Sequence, residues 1–252
     1  MELWTSAHGR TLIPATILMI IFSLVLRHFL IKKDLKYRMI PFQILAVILF
    51  IIEIGKQIDS FADGSYDLYH LPFHFCSLFI FMLPISAFYS GKHRETVFSV
   101  TSAICSSVFL LMMIYPNLIY SAGNIENYFT EYQSFHTVTF HNIVIFEFFM
   151  IIALNLNEPK PKRDLLPVIL FMVGFSVVAA VMAQILKTNY ANMYTCNIPP
   201  LESVRLAVQN VWGYVPAQIL YVTIVALLQI AFTVMAYYFY LLFKIKKIKK
   251  SE

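Results

Sequence analysis

The residues of this chain best suited to covalent chemistry are Cys76 and His141, each set in an otherwise apolar stretch. A cysteine thiolate is a nucleophile for acyl transfer, and an imidazole can take the thiol proton near neutral pH and return it to a leaving group. Glu53, Lys56, His70, His74, His136 and Glu147 share these apolar surroundings. An ionisable group in hydrocarbon costs at least about 2.5 kcal/mol on insertion scales, so each asks for a reason.

Simpler roles stand beside the chemical ones. Cys76 alone can be a small inert core residue, and His141 can serve a hydrogen bond between helices. Glu53 and Lys56 fit a helix-end ion pair with the lysine reaching outward. His70, His74 and His136 fall near enough to a boundary to be solvated. Asn189 and Tyr190 can cap and anchor a helix as well as touch a substrate. Glu147, in mid-stretch, requires a partner inside the protein.

The elements that must position these groups follow from composition. Of 252 residues, 59% are hydrophobic and only 13% charged, with a mean hydropathy of +0.70. A soluble domain carries roughly 25% charged residues, so this is an integral membrane protein. Seven apolar stretches approach the ~20 residues that cross a ~30 Å hydrocarbon core. They lie at 11 to 31, 39 to 58, 70 to 90, 95 to 116, 135 to 155, 165 to 187 and 217 to 243. Continuous apolarity, without short alternating segments, predicts an all-α seven-helix bundle over a barrel. The whole chain, 1 to 252, reads as one membrane domain. The first stretch is too long for a signal-peptide core and is expected to be retained.

Of the 19 Lys and Arg residues, all but Arg10, Lys56, Lys187 and Arg205 fall on one side of these spans. The positive-inside rule then puts the N-terminus outside and the C-terminus in the cytoplasm. The formal net charge of +5 and the tail KIKKIKK are explained by this orientation and by anionic lipid heads, without a nucleic-acid partner. Cys105 in the fourth span and Cys196 in an outer loop are too far apart to pair, so the three cysteines make no disulfide framework. Beyond Pro199 and Pro200, the near-helical spacing of Leu201, Val204, Val208, Val211 and Trp212 suggests a helix on the outer interface or, equally, an ordinary connector covering the bundle. The polar LNLNEPKPKRDLLP stretch reads as a solvated connection.

Spans three and five both run inward, and Cys76 and His141 each come six residues after the assigned starts. A rise of ~1.5 Å per residue puts both about 9 Å below the outer boundary. On a regular helix His70 and His74 share a face, whereas Cys76 points about 200° from His74. A base for Cys76 therefore comes from another helix, with His141 the leading choice.

Three strings resemble a known family: LPFHFCSLFIFMLP at 71 to 84, FHTVTFHNIVIF at 135 to 146 and LKTNYANMY at 186 to 194. They look like the recurring blocks of the YwaF-type bacterial membrane family. That family is similar to eukaryotic transmembrane protein 164, an acyltransferase that remodels ether phospholipids, and more distantly to the androgen-induced lipid hydrolases. The resemblance covers nearly all seven spans and implies a multi-pass protein of a bacterial cell membrane. It implies a Cys or Thr nucleophile paired with a His, at Cys76 and His141. A second register matches the nucleophile to Phe73 and leaves Ser77, a metal-bound water or no chemistry at all.

These readings combine as a lipid acyltransferase or lipid hydrolase acting on phospholipid esters. Cys76 attacks, His141 serves as base and acid, and His74, Asn142, Asn189, Tyr190 and Glu53 contact polar parts of the substrate. No cofactor or metal is required, the substrate is a membrane phospholipid, and the oligomeric state is open. Two alternatives remain. One is a transporter or small-molecule binding protein using the same polar layer, although broken helices and internal repeats are not evident. The other is a metal-dependent hydrolase in which His70 and His74 form a helical metal pair, completed by Glu53, His136 or His141.

Overall fold

A computed structural model describes residues 3–248. Lys249 and Lys250 of the basic tail lie outside the described residues. The chain is all-helical, with 81% helix and no strand among the described residues. Its α-helices are α1 (Ser6–Leu30), α2 (Leu35–Ala62), α3 (Leu78–Phe88), α4 (Arg94–Ile114) and α5 (Ala122–Glu126), followed by α6 (Tyr132–Ala153), α7 (Pro161–Leu186), α8 (Pro199–Trp212) and α9 (Tyr214–Ile248).

Six of these, α1, α2, α4, α6, α7 and α9, are long and apolar enough to cross a membrane, and α3 with its preceding turn, Phe75–Phe88, makes a shorter seventh. The bundle is organised around α4 and α6, whose most apolar windows are 67% and 56% buried against 17% for α1. Small residues explain the position of α4. Ser99, Thr101, Ser102, Ala103, Ser106 and Ser107 are all buried and let neighbouring backbones approach. Ser106 donates across the interface to the Ala236 carbonyl at 2.9 Å, and the Ser86 and Thr101 hydroxyls lie 2.6 Å apart. Outward residues such as Ile13, Ile17 and Leu24 of α1 remain about half exposed, as the lipid-facing side of a bundle requires.

One end of the bundle gathers cations on the carbonyls that close α6. Arg27 donates to Ala153 O at 2.6 Å, Arg38 to Leu154 O at 2.9 Å and Arg94 to Leu156 O at 2.9 Å. Lys244 reaches Asn157 O at 3.3 Å and Asn155 Oδ1 at 3.0 Å. The last carbonyls of a helix lack intrahelical donors and carry partial negative charge, so cations are favoured here: Arg27 and Arg38 take the carbonyls at the end of α6, and Arg94 and Lys244 take groups of the turn just beyond it. Asn155 supplies the left-handed turn that ends α6, with φ 54°.

Two sequence expectations change in this architecture. The third span is not one helix from 70 to 90. Leu71 is extended, with φ −65° and ψ 146°, because it precedes Pro72. The chain instead makes a 3₁₀ turn at Leu68–His70 and another at Phe75–Ser77 before α3 begins. The 11 residues of α3 would span only about 16 Å, so part of this crossing is irregular backbone. The second change concerns α8. Its polar side faces the protein: Arg205 is bonded to Glu202 at 2.5 Å and to Gln218 of α9 at 3.1 Å. Leu201, Val204, Val211 and Trp212 point outward and are exposed. The polar side of α8 is thus spent on the protein, and its outer face is largely apolar.

Candidate functional site

A cavity of about 490 Å³ lies towards the end of the bundle away from the α6 C-terminus. Helical periodicity builds its walls. Gln133, His136, Thr137, Phe140 and His141 follow one another at three- and four-residue spacing along one face of α6. Glu53 and Lys56 face it from α2, and Gln229, Phe232 and Thr233 from α9. The remaining wall is the irregular backbone around Cys76 and a second non-helical stretch after α7 that includes Asn189, Ala191 and Asn192. Non-helical backbone is tolerated at membrane depth where it lines a cavity or is buried in protein, and both stretches meet that condition.

Cys76 and His141 line this one cavity, together with Ser77 and His74. Cys76 occupies the 3₁₀ turn Phe75–Ser77, so the angular separation from His74 expected on a regular helix does not apply. His141 is 6% exposed. Its Nδ1 lies 2.6 Å from the Thr137 carbonyl, which can only accept, so Nδ1 carries the proton. In the neutral ring Nε2 is then an acceptor, and this atom is sealed from solvent without a hydrogen-bond partner. Buried polar atoms normally have partners, which makes the exception informative.

Glu53 and His136 form a second polar centre in the same wall. Glu53 Oε2 lies 2.8 Å from His136 Nε2, while Glu53 Oε1 lies 2.6 Å from Lys56 Nζ and accepts from Gln57 at 2.8 Å. Both Glu53 and His136 are 6% exposed. The expectation that His136 is solvated fails, because an ion-paired carboxylate on α2 gives this imidazole a partner inside the bundle. Glu53 and Lys56 do pair at one turn's spacing.

His70 and His74 do not share a helical face. His70 ends one 3₁₀ turn, with Nδ1 3.1 Å from Asp67 Oδ1, and His74 precedes the next, with Nε2 3.1 Å from the Tyr69 carbonyl. The helical metal pair therefore does not form. Among the described residues no three His, Cys, Asp or Glu side chains are grouped so as to hold a metal ion.

The stretch after α7 is held in an unusual conformation. Lys187, Ala191 and Asn192 all have positive φ, at 51°, 49° and 61°. Strain of this kind costs of order 1 kcal/mol or more per residue and persists only where the surroundings enforce it. Here Gln229 donates to Ala191 O at 2.8 Å, Tyr221 to Asn192 O at 2.7 Å and Gln218 to Met193 O at 3.1 Å. Asn189 Oδ1 accepts from the backbone amides of Tyr194 and Thr195 at 3.1 and 3.0 Å, so its carbonyl shapes the loop even as the residue lines the cavity. The buried Tyr190 hydroxyl donates to the Leu68 carbonyl, and its ring packs against Phe73 and His74. Asn142 lies outside the cavity lining and donates to Val138 O at 2.9 Å.

Gln229 is one of several polar cavity residues that sequence reasoning passed over, with Gln133, Thr137, Asn192 and Thr233. Its amide nitrogen is committed to Ala191 O, which fixes the amide's orientation, and its Oε1 is sealed without a partner. The visible clue was a lone glutamine inside the apolar string ALLQIAF. Glu147 of α6 is fully buried outside the cavity lining, with neither carboxyl oxygen hydrogen-bonded.

Compared with known proteins, residues 3–237 match a family model described as the TMEM164 family. No match was found among curated proteins or solved structures.

Proposed function

The chain belongs to the TMEM164 family, and from that membership we propose that it is a membrane-embedded lipid acyltransferase or acyl hydrolase using Cys76 and His141 on phospholipid esters. The observation that carries this reading is the free Nε2 of His141, a buried acceptor on the same cavity as a thiol. A base needs an available lone pair, and the Thr137 carbonyl fixes the tautomer that leaves one.

In the proposed reaction the Cys76 thiol gives its proton to His141 Nε2 as sulfur attacks the ester carbonyl. The carbon–oxygen bond to the leaving alcohol breaks, and the imidazolium returns the proton to that oxygen. The acyl group is then a thioester on Cys76. A hydroxyl or water attacks it, loses its proton to His141, and releases the thiol, which recovers that proton. Phe75, Ile80, Leu111, Phe140 and Phe232 offer the apolar cavity surface an acyl chain needs. The reading also places the cation-rich end of the bundle in the cytoplasm and the cavity in the outer half of the membrane.

The direct test is mass spectrometry of the purified protein after incubation with phospholipid vesicles. An acyl adduct on Cys76 that hydroxylamine removes is the expected result, and it should accumulate in H141A only slowly. Wild-type protein that turns over phospholipid with no adduct at Cys76 would overturn the assignment of the nucleophile.

A second reading, a transporter or small-molecule binding protein, gains support from the two irregular stretches on the cavity. Interrupted helices at a ligand site are a recurrent transporter feature. Binding or uptake of a lipid without any covalent turnover would favour it.

A further inference from the structure

In the proposed reaction every proton passes through His141, whose Nε2 is sealed and so faces only groups of the chain itself. The second step needs a base that meets an incoming hydroxyl or water in the open cavity, and His136 provides one. Its Nε2 lies 2.8 Å from Glu53 Oε2, while the other oxygen of Glu53 takes Lys56 at 2.6 Å and a hydrogen bond from Gln57 at 2.8 Å. A carboxylate engaged by three donors only accepts, so the His136 proton sits on Nε2 and Nδ1 keeps the lone pair. No hydrogen bond reaches Nδ1, and unlike His141 Nε2 it is not sealed. It opens on the cavity that His136 lines, beside Phe140, whose ring centre is 5.2 Å from that of the imidazole. Ion pairing accounts for Nε2 and leaves this open acceptor unexplained.

We infer that His136 is the base of the second half of the reaction, with Glu53 as the positioning residue that sets its tautomer. The inference rests on the acyl-transfer reading and reassigns one proton in it. A hydroxyl or water in the cavity gives its proton to His136 Nδ1 as its oxygen attacks the acyl carbon of the Cys76 thioester. The carbon–sulfur bond then breaks, and the imidazolium gives that proton to the departing sulfur. The products are the free thiol and the new ester or acid. The positive charge that forms on the ring meets the Glu53 carboxylate across the 2.8 Å contact, and a carboxylate so placed both orients an imidazole and stabilises its protonated form. Both oxygens of Glu53 are already engaged, which suits an orienting role and not a substrate contact. His141 thus serves the thiol, and His136 serves the acceptor.

The test is a burst experiment on full-length protein in nanodiscs with p-nitrophenyl octanoate, whose leaving group needs no acid. The p-nitrophenolate burst reports acylation of Cys76, and the linear phase that follows reports release of the acyl group to water. H136Q should keep the burst and slow the linear phase at least about 100-fold. E53Q, of nearly the same shape as wild type, should keep the burst and slow the linear phase about tenfold or more. Mass spectrometry should find the thioester on Cys76 accumulating in both. A linear phase at the wild-type rate in either variant would overturn the role of that residue. Burst and linear phase slowed alike would show that the pair only holds the bundle together, and would overturn the proposal as well. Should H136Q not insert, E53Q decides. C76A separates this inference from the reading beneath it. Release no faster in wild type than in C76A removes the thioester, and the inference with it. Cys76-dependent release with an unchanged linear phase in both variants removes only the role of His136 and Glu53.

Discussion

His141 Nδ1 and the Thr137 carbonyl oxygen lie 2.6 Å apart, one turn from each other on the same helix. A backbone carbonyl cannot donate, so this contact dictates which ring nitrogen holds the proton. In ¹⁵N-histidine-labelled protein at neutral pH, His141 is expected as the neutral Nδ1–H tautomer, identified by loss of its signals in H141N. An Nε2–H tautomer would remove the base from the proposed reaction.

The Glu53–His136 contact at 2.8 Å joins α2 to α6 with both side chains nearly buried. Breaking a buried pair by removing one partner strands the other, at a cost of about 3–5 kcal/mol. E53A and H136A should each lower the thermal midpoint sharply in detergent. Their effects should be strongly non-additive in the double variant, as for residues sharing one network. Additive effects would show that the two groups do not interact.

Much of this architecture could be read from residue types because hydropathy at membrane depth is a local property. The spans at 95 to 116 and 135 to 155 fall within a few residues of α4 and α6. Long-range partners were not legible. His136 looked solvable in water because its partner, Glu53, is 83 residues away. The inward turn of α8 depends on Gln218 of the next helix receiving Arg205. The break before α3 was hidden for a different reason: a proline near the start of an apolar run also fits the first turn of an intact helix, and Pro72 acts here by extending Leu71. At the candidate site, Cys76 and His141 stood out as rare groups in apolar sequence. Gln229 did not, since an uncharged amide is a weaker anomaly until its oxygen is seen to lack a partner.

Glu147 is fully buried, and neither carboxyl oxygen has a hydrogen-bond partner. An unsatisfied buried polar group costs about 1–3 kcal/mol. If its role is only structural, replacing it with an apolar side chain of similar size relieves that cost. E147M should therefore raise the thermal midpoint while leaving acyl transfer unchanged. A lower midpoint would mean that the carboxyl has a partner in the membrane.

The Glu202–Arg205 pair fastens α8 to the protein, and the Arg205 guanidinium holds the Glu202 carboxyl below its ordinary range. A carboxyl with a depressed folded pKa stabilises the folded state above its unfolded pKa, and that contribution is lost as pH falls through the folded value. Acidification below about pH 4.5, the ordinary value for this carboxyl, should thus loosen α8. Trp212 at its C-terminus gives the readout, as a change in tryptophan fluorescence absent from W212F. E202Q should show the loosened state at every pH, and an unchanged spectrum in E202Q would remove the pair from this role.

The central claim concerns Cys76 and His141, and the rate of acyl transfer by purified protein in phospholipid vesicles tests it most directly. Wild-type protein should move a labelled acyl chain from phospholipid to an added alcohol. C76S and H141A, shown to insert and to melt like wild type, should do so at least about 100-fold more slowly. Transfer at the wild-type rate by either variant would contradict the claim.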